Sequence, residues 1–368
     1  MLADGMSSDK LLSILRELKA STGFVGGGSA LGRRGKVELV ATTGRQHAYR
    51  GVSVSPANRW HIGSIAKSVT ATMIARLLEA EMLSLEMTPD HVFANGGVEV
   101  HGGWSKATFA NLLNNAAGAA KNFPGRARLR ADSDVRTQDA RAKIVQRMLS
   151  RSPEYPPGDR FHYSNAGYVI AAHMAEMLTG QSWERLVEDQ VLMPLGLSHT
   201  GLGAPCGSDG RQEPVGHVSL LGLKCPMPHS GWLSDYPAYI GPAASMHMSL
   251  SDLVRYGSAH VDGLNDQSEF LSSATFRWLH VAPEIRLPGR PPYAAGWRID
   301  ESGRFGAGRV SWHDGSNGRW YAMLVLVPAR DAVFAFACND GAIANRDEQV
   351  LEFAERAIDL LEPGHRAR

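Results

Sequence analysis

The sequence has few cysteines, no long apolar run and almost no net charge, and each shortage removes a class of function. Three cysteines in 368 residues, Cys206, Cys225 and Cys338, are too few and too scattered for a zinc quartet or a disulfide framework. They read as free thiols in a reducing compartment, which gives a cytoplasmic location as the expectation. No stretch reaches the roughly 20 apolar residues of a membrane-spanning helix. The N-terminal MLADGMSSDKLLSILRELK lacks the basic segment and apolar run of a signal peptide. Lys and Arg number 38 against 37 Asp and Glu, and a net charge of +1 offers no attraction for nucleic acid or an anionic membrane. The short basic run at 126–130 reads as a solvated loop. There is no G-x-S-x-G elbow, no H-E-x-x-H, no Walker loop and no G-x-G-x-x-G turn. The 14 histidines are dispersed, so neither a metal nor a cofactor is expected.

What is present centres on 60–82, WHIGSIAKSVTATMIARLLEAEM. Gly63 reads as a break, and Ser64 then falls in the first turn of a helix with Lys67 three residues on, so the two side chains share a face. The apolar positions Ile65, Val69, Met73, Ile74, Leu77 and Leu78 cover more than half of the circumference, the pattern of a helix buried on several sides. Burial strips an ammonium of its hydration and lowers its pKa, so Lys67 can take the proton of Ser64. The positive end of the helix dipole favours the alkoxide that forms. An S-x-x-K tetrapeptide is a weak signal by itself and needs support from elsewhere in the chain.

Along the chain, 8–21 reads as a surface helix whose apolar face is Leu11, Leu12, Ile14, Leu15 and Leu18. Strands at 24–31 and 36–43 flank a polar turn at 32–35 as a hairpin. Pro89 is expected to hold its segment in loop conformation. From about 91 to 240 short helical patterns at 108–114, 139–149, 165–178 and 181–190 alternate with loops, and 204–239 reads as one long loop beside the site. A helix at 249–260, capped by Ser249 or Ser251, precedes strands at 294–300, 309–313, 320–328 and 333–339, and a helix at 347–361 closes the chain. Trp232, Trp297, Trp312 and Trp320 read as core and cleft wall. The fold class is therefore α+β, an α/β sandwich. A mainly antiparallel sheet drawn from both chain ends is flanked by helices, with a mainly helical insertion. Residues 1–90 and 241–368 form the sheet domain, 91–240 the helical one, and the active site lies between them. There is no internal repeat, and nothing in the pattern sets an oligomeric state.

Two further segments supply chemistry. Tyr163-Ser164-Asn165 lies between a Pro-Gly turn and a helix, where functional side chains are often displayed. A phenol near a lysine ammonium is expected to have a lowered pKa and to act as base or proton donor, and Asn165 can orient the lysine or meet a carbonyl. The same three residues also read as an Asn helix cap beside a core tyrosine. His313-Asp314-Gly315-Ser316 follows a strand. Gly315 permits close approach of a ligand, and the backbone N–H groups of Ser64 and Ser316 can form an oxyanion hole. HDGSNG also reads as a polar hairpin turn.

The three motifs in this order are far more specific together than singly. GSIAKS, YSN and HDG resemble the S-x-x-K, Y-x-N and K/H-x-G motifs of the serine β-lactamase and penicillin-binding-protein superfamily. The likeness is to its branch of class C β-lactamases, D-alanyl-D-alanine carboxypeptidases and family VIII esterases. LMPLGL and GPAASMHMSLSDLVRYG extend the likeness to nearly the whole chain. The resemblance implies that Ser64 is the acylated nucleophile, Lys67 its proton partner and Tyr163 the general base and acid. It makes Asn165 a substrate contact and His313, Asp314, Gly315 and Ser316 the substrate-facing strand.

The chain departs from that pattern at three places. His313 stands where β-lactamases carry Lys, which the resemblance associates with peptidases and esterases. Asp314 replaces a hydroxyl residue. If its carboxylate reached the cleft it would repel an anionic substrate and welcome an amine or a neutral ester, unless Arg309 or Arg319 cancelled the charge. The stretch 114–118, NNAAG, lacks the hydroxyl and histidine of many relatives. The expected activity is a serine hydrolase acting through an acyl-enzyme on a small-molecule ester or amide. A β-lactamase, a D-alanyl-D-alanine carboxypeptidase or D-aminopeptidase, and a non-hydrolytic acyl-binding sensor are the alternatives.

Overall fold

A computed structural model gives the fold and describes residues 2–94, 98–123, 137–206, 212–229, 231, 233–285 and 291–361. The basic run at 126–130, Trp232 and parts of the 204–239 segment lie outside the described residues.

The sheet begins with the hairpin of Gly26–Arg33 and Lys36–His47. Its two-residue turn, Arg34 and Gly35, takes positive φ at both positions (50° and 71°), the geometry whose twist matches paired strands. With these two, the described residues give the sheet eight antiparallel strands, in the order Arg50–Ser53, Lys36–His47, Gly26–Arg33, Ala332–Cys338, Tyr321–Val327, Val310–Ser316, Trp297–Asp300 and Tyr293–Ala294. The two chain ends thus meet at the centre of the sheet, where Gly27 pairs with Cys338 and Leu31 with Phe334.

Both central C-terminal strands are buried along their full length because each face of the sheet is covered. Ala322, Leu324, Leu326, Val333 and Ala335 join a core with the helices Ala66–Glu79, Asn165–Thr179 and Leu250–Leu264. Alternate residues Tyr321, Met323, Val325, Phe334 and Phe336 pack with Leu11, Leu15, Val350 and Phe353 of the terminal helices Leu2–Thr22 and Asp347–Ile358. The period of two that divides these sets fixes which side chains of each strand can reach the nucleophile helix.

Several expectations change. The segment at Pro89 is a short helix, Pro89–Phe93, because proline at the first helical position loses no hydrogen bond there. The 294–300 strand divides at Ala295 and Gly296. Gly296 (φ 83°) lies against the nucleophile helix, and a Cβ there would sit 2.5 Å from Ser68 Cα. The 309–313 strand runs on to Ser316, so HDGS is strand and not turn. The 181–190 pattern becomes a short helix, Trp183–Val187, followed by a π-turn, Glu188–Leu192. Within 204–239 the strands His217–Leu220 and Leu223–Pro226 form a hairpin too short and polar to show a period. A second sheet orders Arg59–His61, Met246–Ser249 and Thr200–Leu202. Ser249 caps the helix Leu250–Leu264 through Asp252 N–H. No helix among the described residues is long and apolar enough to cross a membrane.

Candidate active site

The strand Arg59–His61 delivers the chain to Gly63, whose positive φ of 51° turns it into a 3-10 turn, Gly63–Ile65, that runs on as the helix Ala66–Glu79. A Cβ on Gly63 would lie 2.3 Å from Ser316 N, and one on Gly315 would lie 2.0 Å from Ile62 O and 2.6 Å from Ser64 N. Two glycines therefore let the nucleophile turn and the strand Val310–Ser316 meet backbone to backbone. The amides of Ser64 and Ser316 come to one place as a result.

Lys67 is fully buried. Its Nζ lies 3.1 Å from Ser64 Oγ, 2.7 Å from Asn165 Oδ1 and 2.8 Å from the Ala243 carbonyl. Burial pushes its pKa well below the ordinary lysine value, against a raising influence from Asp314. A neutral amine has two protons and one lone pair. Asn165 Oδ1 and Ala243 O can only accept, so in the neutral form they take both protons and leave the lone pair for the Ser64 hydroxyl, whereas an ammonium donates its third proton to Ser64 Oγ.

Tyr163 and Asn165 reach this amine from the start of the helix Asn165–Thr179, which Ser164, not Asn165, caps by accepting from Gly167 N–H. Asn165 is held by donating Nδ2–H to Asn122 Oδ1 at 2.9 Å. The Tyr163 ring lies under Lys67, with Nζ 4.7 Å from the centroid. Its pKa moves the opposite way from the expectation. Burial drives the phenol well above its ordinary value, and hydrogen bonding to Ser64 offsets only part of this. At neutral pH the phenol holds its proton.

His313 and Asp314 part company. His313 is buried on the nucleophile side, its ring centroid 6.4 Å from that of Tyr163. Its Nδ1–H donates to Asp314 O, and its Nε2 accepts from Tyr293 OH at 3.1 Å. Burial lowers its pKa to about 3, so the imidazole is neutral. Asp314 pairs with Met323 across the strands and shares the face covered by the terminal helices. Its carboxylate meets Arg298 Nε at 3.1 Å. The condition of a carboxylate reaching the cleft is thus not met, and its partner is Arg298 and neither Arg309 nor Arg319. Arg309 pairs with Glu301, and Arg319 donates to the Asn317 carbonyl.

Sequence reasoning passed over Asn122, Ala243, Tyr293 and Arg298. Ala243 acts through its carbonyl, for which a side-chain pattern carries no signal. Tyr293 and Arg298 come from strands at the sheet's edge. Among the described residues no group of three or more His, Cys, Asp or Glu side chains is placed to hold a metal ion.

Comparison with known proteins shows related sequences and related folds. Penicillin-binding protein 4 of Amycolatopsis lactamdurans is 29% identical over 309 residues, 81% of this chain and 77% of that protein. The crystal structure of SurE superposes with a TM-score of 0.77 at 20% identity, over 97% of this chain and 77% of that one. The D-amino acid amidase of Ochrobactrum anthropi SV3, solved with L-phenylalanine amide, gives 0.76 at 17% identity over 98% and 99% of the two chains. At such identities the two structures speak for the fold. The Beta-lactamase family model matches residues 11–355, and this chain, a member of the serine β-lactamase and penicillin-binding-protein superfamily, belongs to that family.

Proposed function

We propose that the protein is a serine hydrolase that forms an acyl-enzyme at Ser64 from ester or amide bonds of small, uncharged substrates. The observation that carries this reading is the set of contacts around Lys67 Nζ, which leaves a desolvated amine one free lone pair, 3.1 Å from Ser64 Oγ.

In this mechanism Ser64 Oγ attacks the carbonyl carbon while its proton passes to Lys67, which becomes an ammonium. The oxyanion is met by the N–H groups of Ser64 and Ser316. Tyr163, still protonated, gives its proton to the leaving alkoxide or amine and regains one from Lys67. Water then attacks the acyl carbonyl and loses its proton by the reverse route, freeing Ser64.

The preference for uncharged substrates rests on His313. A neutral imidazole tied to Tyr293 supplies no cation for a substrate carboxylate. The three unpaired cysteines fit a reducing, cytoplasmic compartment. The test is turnover of p-nitrophenyl butyrate and nitrocefin side by side, with Ser64→Ala as control. Faster ester turnover that disappears in Ser64→Ala supports the reading. A preference for nitrocefin reassigns the protein as a β-lactamase, and labelling of Ser64 with no turnover reassigns it as an acyl-binding sensor.

A further inference from the structure

Beside the nucleophile turn lies a buried carboxylate that the proposed mechanism does not use. Asp235 has a side chain only 9% exposed, and donors from four elements converge on it. His61 Nε2 lies 2.9 Å from Oδ1, Asn317 Nδ2 donates to the same oxygen at 3.1 Å, and the backbone N–H of Tyr236 donates at 2.7 Å. Ser245 Oγ–H donates to Oδ2. Burial works to raise its pKa, but His61, Ser245 and Asn317 outweigh it and hold the carboxyl below its ordinary value.

Two of these donors belong to opposite walls of the oxyanion hole. On one side Gly63 N–H donates to His61 Nδ1 at 3.1 Å, which requires the His61 proton to be on Nε2, facing Asp235. On the other, Asn317 follows Ser316 directly. Its Oδ1 accepts from Arg319 N–H and Trp320 N–H at 3.1 and 3.2 Å, shaping the turn that ends the strand Val310–Ser316. Trp60 and Trp320, beside His61 and the Asn317 turn, pack edge to face with centroids 6.4 Å apart. A buried charge is costly unless every lone pair has a use. Here two of the four donors, His61 and Asn317, tie the carboxylate to the Ser64 wall and the Ser316 wall.

We propose that Asp235 is a positioning residue, which through His61 and Asn317 holds the Ser64 and Ser316 amides at the separation an oxyanion needs. The proposal rests on the acyl-enzyme reading of the same site. Asp235 reaches the reacting atoms only through other residues, so it is a positioning group and not a substrate-binding one.

Asn317→Asp tests it by setting a second buried carboxylate against Asp235. The new carboxylate still accepts from Arg319 and Trp320, but it faces Asp235 with a like charge where a donor stood. Asp235→Asn keeps an acceptor toward His61 and Asn317, and Asp235→Ala removes it. The probe is an alkyl fluorophosphonate, whose phosphoryl oxygen enters the oxyanion hole as Ser64 is phosphonylated with loss of fluoride. Since loss of one oxyanion donor costs about 10²–10³-fold in rate, a displaced pair is expected to slow labelling by about 10- to 100-fold in Asn317→Asp and Asp235→Ala. The half-saturating probe concentration stays unchanged, and Asp235→Asn recovers most of the rate. If both slowed variants, folded by circular dichroism, label at the wild-type rate, the positioning role is overturned. Should Asp235→Ala not fold, Asn317→Asp decides the question. Wild-type protein that is never labelled overturns the acyl-enzyme reading instead, and this proposal with it.

Discussion

Lys67 Nζ lies 3.1 Å from Ser64 Oγ, and its remaining contacts, with Asn165 Oδ1 and Ala243 O, take the two protons of a neutral amine. In the proposed mechanism the pair serves as nucleophile and base without a histidine. Lys67→Arg fixes a positive charge at the site and removes the base, because a guanidinium does not deprotonate in a protein. Ser64→Ala and Lys67→Arg should each lower kcat/KM for p-nitrophenyl butyrate by about 10³-fold or more, the scale on which loss of a nucleophile or its base acts. A steady-state assay checks this, and near-normal Lys67→Arg activity would show the proton going elsewhere.

The pH profile follows from the directions of two shifts. Burial depresses Lys67, and the mechanism uses its neutral form, so kcat/KM should fall as pH drops through a pKa well below the usual lysine value. Across the window between that pKa and the unfolded value, the unfolded chain binds more protons, so stability also rises with pH. Tyr163 is shifted upward and contributes no limb below its ordinary value. The acidic limb should therefore persist in Tyr163→Phe. Its disappearance in that variant would assign the base to the phenol.

Tyr163→Phe keeps the ring beneath Lys67 and removes the proton donor. General acid–base groups contribute about 10²–10⁴-fold, and kcat should fall on that scale with Tm within a few degrees of wild type. Stopped-flow assays and thermal melts separate the two effects. A large loss of Tm with unchanged kcat would make Tyr163 a packing residue.

Gly315→Ala places a methyl group where Ile62 O and Ser64 N already stand, 2.0 and 2.6 Å away. Overpacking of this kind costs about 1–3 kcal/mol. The expected outcome is lost activity with a lowered but cooperative melt. Wild-type kinetics in this variant would show that the contact between strand and turn is not needed for catalysis.

Asp314→Asn tests the face that residue occupies. Its partner Arg298 is on the far side of the sheet from the nucleophile helix, and both side chains are about one-fifth to one-quarter exposed. The ratio of kcat/KM for a neutral ester to that for a carboxylate-bearing one should stay unchanged. A shift toward the anionic substrate would put the carboxylate in the cleft.

The sequence makes some of this site plain because local rules decide it. Spacing of three on a buried helix brings Ser64 beside Lys67, and the closely spaced Tyr163 and Asn165 at a helix start reach the same amine. Asp314 was also readable in part. Side chains alternate along a strand, so once His313 faces the nucleophile, its neighbour faces away. That inference needed the strand to reach Ser316, and the polar, glycine-containing HDGSNG reads as a turn by composition. The contact of the Ala243 carbonyl with Lys67 and that of Asp235 with His61 depend on tertiary approach between segments more than 170 residues apart, beyond any local period. The phenol's upward shift belongs to the same class, since burial outweighs the hydrogen bond with Ser64 and the charge of Arg298.

The central claim is that Ser64 is acylated and that Lys67 makes it reactive. Intact-mass and peptide mass spectrometry after acid quench of a reaction with p-nitrophenyl butyrate measures this directly. The account predicts one butyryl group on the peptide carrying Ser64 in wild-type protein and none in Lys67→Arg at the same time point. A butyryl group on another residue, or ester turnover that survives Ser64→Ala, would contradict it.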